Sequence, residues 1–247
     1  MFIENLRMKL GLNDEYDIQC GYEAGCLGYS LYNQLTAAGV KCVILAPTTM
    51  LTPQGVRIKT DMRDAYMIAQ CLSYGGYYAV YIPTEADDSV KEYLRMRNDH
   101  KLALKKIKQQ INAFCIRHGF CYDGTKWTLA HLNWLKKLEI TNELYRETLD
   151  EYMASYEEQE AKIERYDKRI EEIAEQTKYY DKVKKLKCFL GIKTHTALSL
   201  IVENGDFERF AKGNQYASYL GLAPGENSSS DSIHRLGITK AGNSHLG

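Results

Sequence analysis

The sequence lacks an excess of either charge, a long apolar run and any paired arrangement of its cysteines. Lys plus Arg and Asp plus Glu number 32 each in the 247 residues, so net charge does not point to a nucleic-acid partner. No apolar run approaches the roughly 20 residues that cross a bilayer, which argues against a membrane role. The seven cysteines form an odd set without a C-x-x-C pair, and the chain begins with no charged-then-apolar signal. These absences predict a reduced protein of the cytoplasm.

The first stretch, 1–86, alternates short β-like runs with helical patterns. The expected elements are a strand at 16–22, a helix at 27–38, a buried strand at 40–46, a helix at 60–72 and a last strand at 77–82. Strands that alternate with helices in such short units predict a sheet with parallel pairs and covering helices.

The middle stretch, 87–180, has few Gly or Pro residues, and its apolar residues recur at spacings of three and four. This spacing predicts two long amphipathic helices that form a coiled-coil arm. Their apolar stripes should be buried against each other or against a second chain at Leu104, Ile107, Ile111, Ile163 and Ile170. Small residues and glycines return in 181–247, which predicts a small mixed domain. The expected fold class is therefore α/β plus α in three domains.

The two long helices differ in charge. Basic residues dominate the first, including Lys101, Lys105 and Lys108, whereas the second is mostly acidic from Asp150 to Glu175. A basic helix face can neutralise phosphates and release their counterions. A solvated coiled-coil surface has the same pattern, so both interpretations stay open.

Three carboxylates are candidates for a metal site. Asp61 and Asp64 stand on one face of the first turn of a predicted helix, where Thr60 is a plausible N-cap. Acidic residues there also interact favourably with the helix dipole, which is a purely structural explanation. Glu23, however, ends a predicted strand, where α/β sheets meet their ligands. Carboxylates that converge in this way suit Mg²⁺, and two such ions about 4 Å apart promote phosphodiester displacement.

The same residues carry a family resemblance. The segments Y-E-A-G at 22–25, L-A-P at 45–47 and K-T-D-M-R-D-A at 59–65 resemble the amino-terminal half of DEDD-type insertion-sequence transposases, the family called "one-ten". The resemblance implies a RuvC-like, RNase H-type domain in which Glu23, Asp61 and Asp64 are three of four metal-binding carboxylates. The first carboxylate of the family, an Asp on the first strand, has no counterpart in this sequence.

A run of three serines lies in the glycine-rich carboxyl-terminal stretch. Such a run is most often a flexible turn. Its surroundings, however, resemble the carboxyl-terminal domain of the same transposases: G-D-F at 205–207, Y-L-G-L-A-P at 219–224 and G-I-T-K at 237–240. The resemblance implies that Ser229 is a nucleophile, with Ser228 as its immediate competitor, and that Lys240 and Asn243 are candidates to hold a phosphate.

The resemblance spans nearly the whole chain and implies a DNA transposase that cuts and rejoins DNA with Mg²⁺. It further implies a structured guide RNA, a homodimer or homotetramer, and a chain that lacks part of each end of the family pattern. Domains are expected at 1–86 (RuvC-like), 87–180 (helical coiled coil) and 181–247 (serine-bearing). Two alternatives stay open. One is a RuvC-like metal-dependent nuclease without a serine role, and the other is a non-catalytic remnant that binds nucleic acid or dimerises.

Overall fold

The computed structural model describes residues 2–11, 17–47, 50, 60–226, 234–239, 242–243 and 245–246. The chain divides into two compact units, Met1–Ile82 and Pro83–Gly247. Across the described helices, none combines the length and the apolar character needed to span a membrane.

The first unit is built around a parallel strand pair with a helical crossover. Its elements are α1 (Phe2–Leu10), β1 (Gln19–Glu23), α2 (Ser30–Ala37), β2 (Lys41–Leu45) and α3 (Asp61–Tyr74). β1 and β2 pair in parallel, with Cys20 opposite Cys42 and Glu23 opposite Leu45. The prediction of a parallel pair joined by a helix is confirmed at this level, with strand and helix bounds shifted by a few residues.

The core of the first unit lies between the strand pair and α3. Leu45 is fully buried there, together with Cys71 of α3. A Cβ added to Gly21 would lie 2.9 Å from methyl groups of both Leu45 and Leu72, so any larger residue at this position would require these two side chains to shift. The contact places α3, which begins with Asp61, against the strand that ends with Glu23.

The prediction of a strand over 77–82 is wrong in the length of the strand. Among the described residues, this segment makes one isolated antiparallel bridge, between Ala79 and Leu45. Two backbone hydrogen bonds flank it, from Ala46 N to Tyr78 O (3.0 Å) and from Val80 N to Ile44 O (2.8 Å). Alternating apolar residues indicate a tendency to form an extended backbone, but the length of a strand also depends on a neighbouring strand that stays in register with it.

The second unit is a long antiparallel helical hairpin with smaller elements packed on it. Its elements are α4 (Glu85–Arg117), α5 (Leu129–Lys136), α6 (Glu143–Ala174), α7 (Tyr180–Leu186), α8 (Thr194–Asn204), a 3-10 turn (Phe207–Arg209), α9 (Gly213–Tyr219), β3 (Pro224–Glu226) and β4 (Arg235–Ile238). α4 pairs with α6 in opposite directions, as the contacts Arg97–Asp167 and Lys108–Glu160 show.

The predicted apolar stripes face each other within one chain. Leu104, Ile111, Ile163 and Ile170 are buried at the α4–α6 contact or beside it, and Ile107 packs against the same core. Two long helices are therefore confirmed. Because each stripe has its partner on the neighbouring helix, these positions do not require a second chain to cover them.

The carboxyl-terminal helices belong to the same compact unit as the arm. α8 packs on both α4 and α6, and its buried residues Ala197, Leu198 and Ile201 share a core with Ile170 and Ile173. The break between units at 82/83 lies close to the first predicted domain boundary. The division predicted between 180 and 181 stays a prediction.

Candidate functional site

Glu23 lies at the carboxyl end of β1, as its position in the sequence predicts. The strand pair extends one residue further, because Ala24 N donates a hydrogen bond of 2.9 Å to Leu45 O. The Glu23 side chain is half-buried at this edge.

Asp61 and Asp64 occupy the first turn of α3. The Thr60 hydroxyl accepts a hydrogen bond of 3.4 Å from Arg63 N, and Asp64 N donates to Thr60 O at 3.0 Å, so the predicted N-cap is confirmed. Asp61 is exposed and Asp64 is half-buried. Both carboxylates sit where the helix dipole favours negative charge, which explains their presence without a ligand.

The three carboxylates are carried by elements that touch, but they do not form a metal site. Within the residues that the structure describes, no three His, Cys, Asp or Glu side chains are grouped so that they could hold a metal ion. Glu23, Asp61 and Asp64 are thus not grouped as a cation site, and their assignment as ligands of Mg²⁺, an ion that takes oxygen ligands, stays a prediction.

The predicted serine site lies largely outside the described residues. Ser228, Ser229 and Lys240 are not among them. The strands on either side of the serines are described: β3 and β4 pair in antiparallel fashion, with Pro224 opposite Ile238. The serine run therefore connects two paired strands.

Asn243 takes part in a partly buried network of polar side chains. Its side-chain amide donates to Glu203 Oε2 at 3.0 Å and to the Tyr219 hydroxyl at 3.3 Å, so both amide hydrogens are engaged within the described chain. Arg95 of α4 donates to the same Glu203 carboxylate through Nε (2.8 Å) and a terminal nitrogen (2.9 Å). Burial raises the pKa of Glu203, but the hydrogen bonds from Arg95 and Asn243 outweigh it and hold that pKa below its usual value.

Sequence reasoning missed this network for a simple reason. Arg95 and Glu203 are 108 residues apart and belong to different predicted domains. No local period or motif links them, and they meet only because α8 packs on α4.

The basic face of α4 is partly engaged by acidic residues of the same chain. Arg97 binds both oxygens of Asp167 on α6, at 2.7 and 3.1 Å. Lys108 donates to Glu160 at 3.2 Å and lies 5.3 Å above the ring centroids of Trp127 and Tyr156. Burial and Glu160 raise the pKa of Tyr156 to about 12.

Lys101 and Lys105 are exposed on the same helix. No ion pair of either lysine is found among the described residues. Of the three lysines that the sequence singles out on α4, Lys108 has a carboxylate partner, and Lys101 lines a groove that also contains Glu164 and Glu171.

The chain is similar to known transposases. Residues 183–246 match the family described as Transposase IS116/IS110/IS902 family. The chain is 36% identical over 215 residues to the transposase for insertion sequence element IS1533 of Leptospira borgpetersenii, covering 86% of this chain and 61% of that protein. It is 33% identical over 226 residues to the putative transposase y4qE of Sinorhizobium fredii, covering 91% of this chain and 55% of that protein.

A more distant relative is the transposase for insertion sequence element IS1111A of Coxiella burnetii, 26% identical over 215 residues. The chain spans between 55% and 61% of the length of these three relatives.

Proposed function

This chain belongs to the IS110/IS116/IS902 family of transposases, and we propose that it acts in the transposition of an insertion sequence by cutting and rejoining DNA. The observation that carries the proposal is 36% identity over 86% of the chain to an insertion-sequence transposase. The family match at 183–246 supports it independently, since it covers the serine-bearing stretch.

The serine is the proposed nucleophile. The oxygen of Ser229 would attack a DNA phosphorus, forming a phosphoserine ester as the bond from phosphorus to a deoxyribose oxygen breaks. The serine loses its proton to a base, and the departing deoxyribose oxygen gains one. Attack by another DNA hydroxyl on the phosphoserine reverses these changes and releases the serine. One phosphate ester replaces another in each step, so no water and no nucleotide is needed.

The first unit is proposed to be a RuvC-like domain. Its parallel strand pair, its helical crossover and the packing of α3 on β1 support this assignment. The family suggests a divalent metal, with Mg²⁺ as the proposed ion and Glu23, Asp61 and Asp64 as its proposed ligands. Because these carboxylates are not arranged as a cation site, no catalytic step is assigned to a metal.

The proposed partners are DNA, namely the ends of the element and the target, and a structured guide RNA. A homodimer or homotetramer is the proposed assembly. The two exposed α4 lysines, Lys101 and Lys105, are proposed phosphate contacts.

The test is the covalent intermediate. The chain is incubated with end-labelled DNA that carries the element ends together with the proposed guide RNA, and the products are run on a denaturing gel. A protease-sensitive shifted band is expected, and Ser229→Ala should abolish it. Ser230→Ala, a change of the neighbouring hydroxyl, is the matched control and should retain the band.

The other outcomes decide between the alternatives. A band that survives Ser229→Ala but disappears with Ser228→Ala would move the nucleophile by one residue. Cleavage without any adduct, unaffected by either substitution, would show a nuclease that uses no serine. Absence of both cleavage and adduct would favour the non-catalytic remnant.

A further inference from the structure

The helical hairpin formed by α7 and α8 carries a cluster of lysines at its exposed side. Between 180 and 193 the chain has five lysines and one acidic residue, Asp181. The lysines are all exposed: Lys182, Lys184, Lys185, Lys187 and Lys193. Among the described residues, which include all of 60–226, none of these five ammonium groups lies within 4.0 Å of a carboxylate.

Two large apolar side chains stand at the tip of the same hairpin. Phe189 is 65% exposed and Leu190 is 105% exposed. A Phe-Leu pair in open water costs hydrophobic free energy, which a partner that covers it would recover. The pair is flanked by Lys187 and Lys193, so any partner that reaches the tip also meets positive charge.

The hairpin holds this surface on a well-packed base. Val183 is buried, and Leu186 and Ile192 pack against the core that α8 shares with α4 and α6. The connection closes on itself through hydrogen bonds from Phe189 N to Leu186 O (3.1 Å) and from Ile192 N to Phe189 O (3.2 Å). The exposure of the tip is thus a property of a folded turn.

The segment before α7 fastens the hairpin to α4. The buried Tyr179 hydroxyl donates to Asp87 Oδ1 at 2.8 Å, and Lys178 pairs with the same oxygen at 2.8 Å. Burial raises the pKa of Asp87, but hydrogen bonds from Lys178, Thr84 and Tyr179 outweigh it and lower that pKa overall. The carboxylate therefore stays charged and keeps its contacts with Lys178 and Tyr179. The lysines therefore extend from a backbone that is already packed in place, which limits the conformational entropy that the backbone loses when a ligand binds.

We propose that the α7–α8 hairpin is a nucleic-acid contact surface, in which the lysines bind the phosphates of a DNA duplex and the Phe189–Leu190 tip inserts beside its bases. This proposal rests on the proposed function for the identity of the partner. Lysines without carboxylate partners suit phosphates, whose counterions they release. Exposed Phe and Leu side chains between them suit the apolar wedges with which architectural proteins unstack base steps.

One part of the surface has competing charge. Lys184 and Lys187 line a groove with Glu171 of α6 and with Glu175, which follows that helix, and Lys184 lies 5.9 Å from the Tyr180 ring centroid. Lys182, Lys185 and Lys193 lie outside that groove. These three lysines therefore make the cleaner test of phosphate binding.

The experiment measures binding of the full chain to a fluorescein-labelled 30-base-pair DNA duplex by anisotropy, over a range of salt concentrations. A triple variant, Lys182→Ala with Lys185→Ala and Lys193→Ala, should bind at least about tenfold more weakly at low salt, and its salt slope should fall by about 0.9 for each lost contact. The matched control removes three lysines that each pair with a glutamate, Lys136, Lys162 and Lys168, and should lower the slope less. A hairpin variant with the slope of the unmodified chain would overturn the proposal.

The tip is tested separately with a duplex that contains 2-aminopurine, whose fluorescence rises when it is unstacked. The unmodified chain should raise this fluorescence, and Phe189→Ala with Leu190→Ala should prevent the rise while keeping the salt slope. A competing outcome is that the tip variant loses binding to vesicles of phosphatidylserine and phosphatidylcholine, with no change on DNA. That result would assign the surface to a membrane and overturn the proposal.

Both readouts are binding measurements, so they separate this proposal from the serine chemistry. A chain that forms no adduct but binds DNA through the hairpin would refute the proposed function and support the hairpin. If the triple variant forms the adduct equally well and binds DNA with unchanged affinity, the proposed function is supported and the hairpin proposal is refuted.

Discussion

Two regions of the second unit are rich in basic residues but differ in their surroundings. On α4, Arg95, Arg97 and Lys108 are joined to carboxylates of α6 and α8 at 2.7 to 3.2 Å. On the α7–α8 hairpin, the lysines between 180 and 193 have no such partner among the described residues. Arg95, Arg97 and Lys108 of the first region thus stabilise the fold, whereas the lysines of the hairpin are available to a ligand. Charge density along a sequence does not distinguish these uses.

The largest expected effect is the loss of an α4 ion pair. Arg95→Leu leaves the Glu203 carboxylate, whose side chain is 6% exposed, without its bidentate partner. The free energy of unfolding in urea should fall by about 3 kcal/mol. Lys106→Leu, an exposed position on the same helix, is the matched control and should change it by less than about 0.5 kcal/mol. If the two changes lower the free energy of unfolding equally, the conclusion that the paired α4 cations stabilise the fold is wrong.

The same pair sets a pH dependence. The pKa of Glu203 lies below its ordinary value of 4.5, so the folded chain binds fewer protons there than the unfolded chain does. This contribution to stability is present above pH 4.5 and is lost as the pH falls through the lowered value. Arg95→Leu should therefore make the free energy of unfolding depend less on pH in the acid range.

A middle-sized effect is expected where the hairpin meets α4. His195 of α8 has a buried Nε2 without a hydrogen-bond partner among the described residues. Burial lowers its pKa below the ordinary 6.5, and the nearby Arg97 and Lys101 lower it further, although Asp167 opposes them. The unfolded chain therefore binds more protons below pH 6.5, and stability is lost as the pH falls through the lowered pKa.

The measurement is the urea unfolding free energy at pH 6.5 and pH 5.5. The free energy should decrease, with at most about 1 kcal/mol coming from one histidine over this pH unit, and His195→Gln should make the decrease smaller. His234→Gln, at an exposed position, is the control and should keep the decrease. A pH dependence that is unchanged by His195→Gln would place the titrating group elsewhere, for instance at His131, whose pKa burial also lowers.

The smallest expected effect is that of Lys108. Its partner Glu160 has a side chain that is 47% exposed, and such pairs contribute about 0.5 kcal/mol. Lys108→Met should therefore change the unfolding free energy by about that amount and leave the salt slope of DNA binding unchanged, because the ammonium group already has a carboxylate partner. A clear decrease of the salt slope would show that Lys108 contacts nucleic acid. It would also weaken the distinction between paired α4 cations and hairpin lysines that are available to a ligand.

The elements of the fold were largely predictable. Thr60 caps α3, and the two long helices match the apolar stripes, because capping and helical period depend on neighbours within a few residues. The positions of Glu23 at a strand end and of Asp61 and Asp64 at a helix start follow from the same local signals. Whether their carboxylates meet depends on how far α3 is shifted along β1, which no local pattern specifies.

By itself, the sequence determined the family, the helices and the parallel crossover, since motifs and periodicity are properties of contiguous residues. Tertiary structure alone decided which charges have partners. Arg95 meets Glu203 across 108 residues and Arg97 meets Asp167 across 70, so the availability of the α4 cations depends on chain packing. It also decided that the apolar stripes of α4 and α6 cover each other within one chain. Coulomb and packing energies depend on distance in space, and sequence separation does not report that distance.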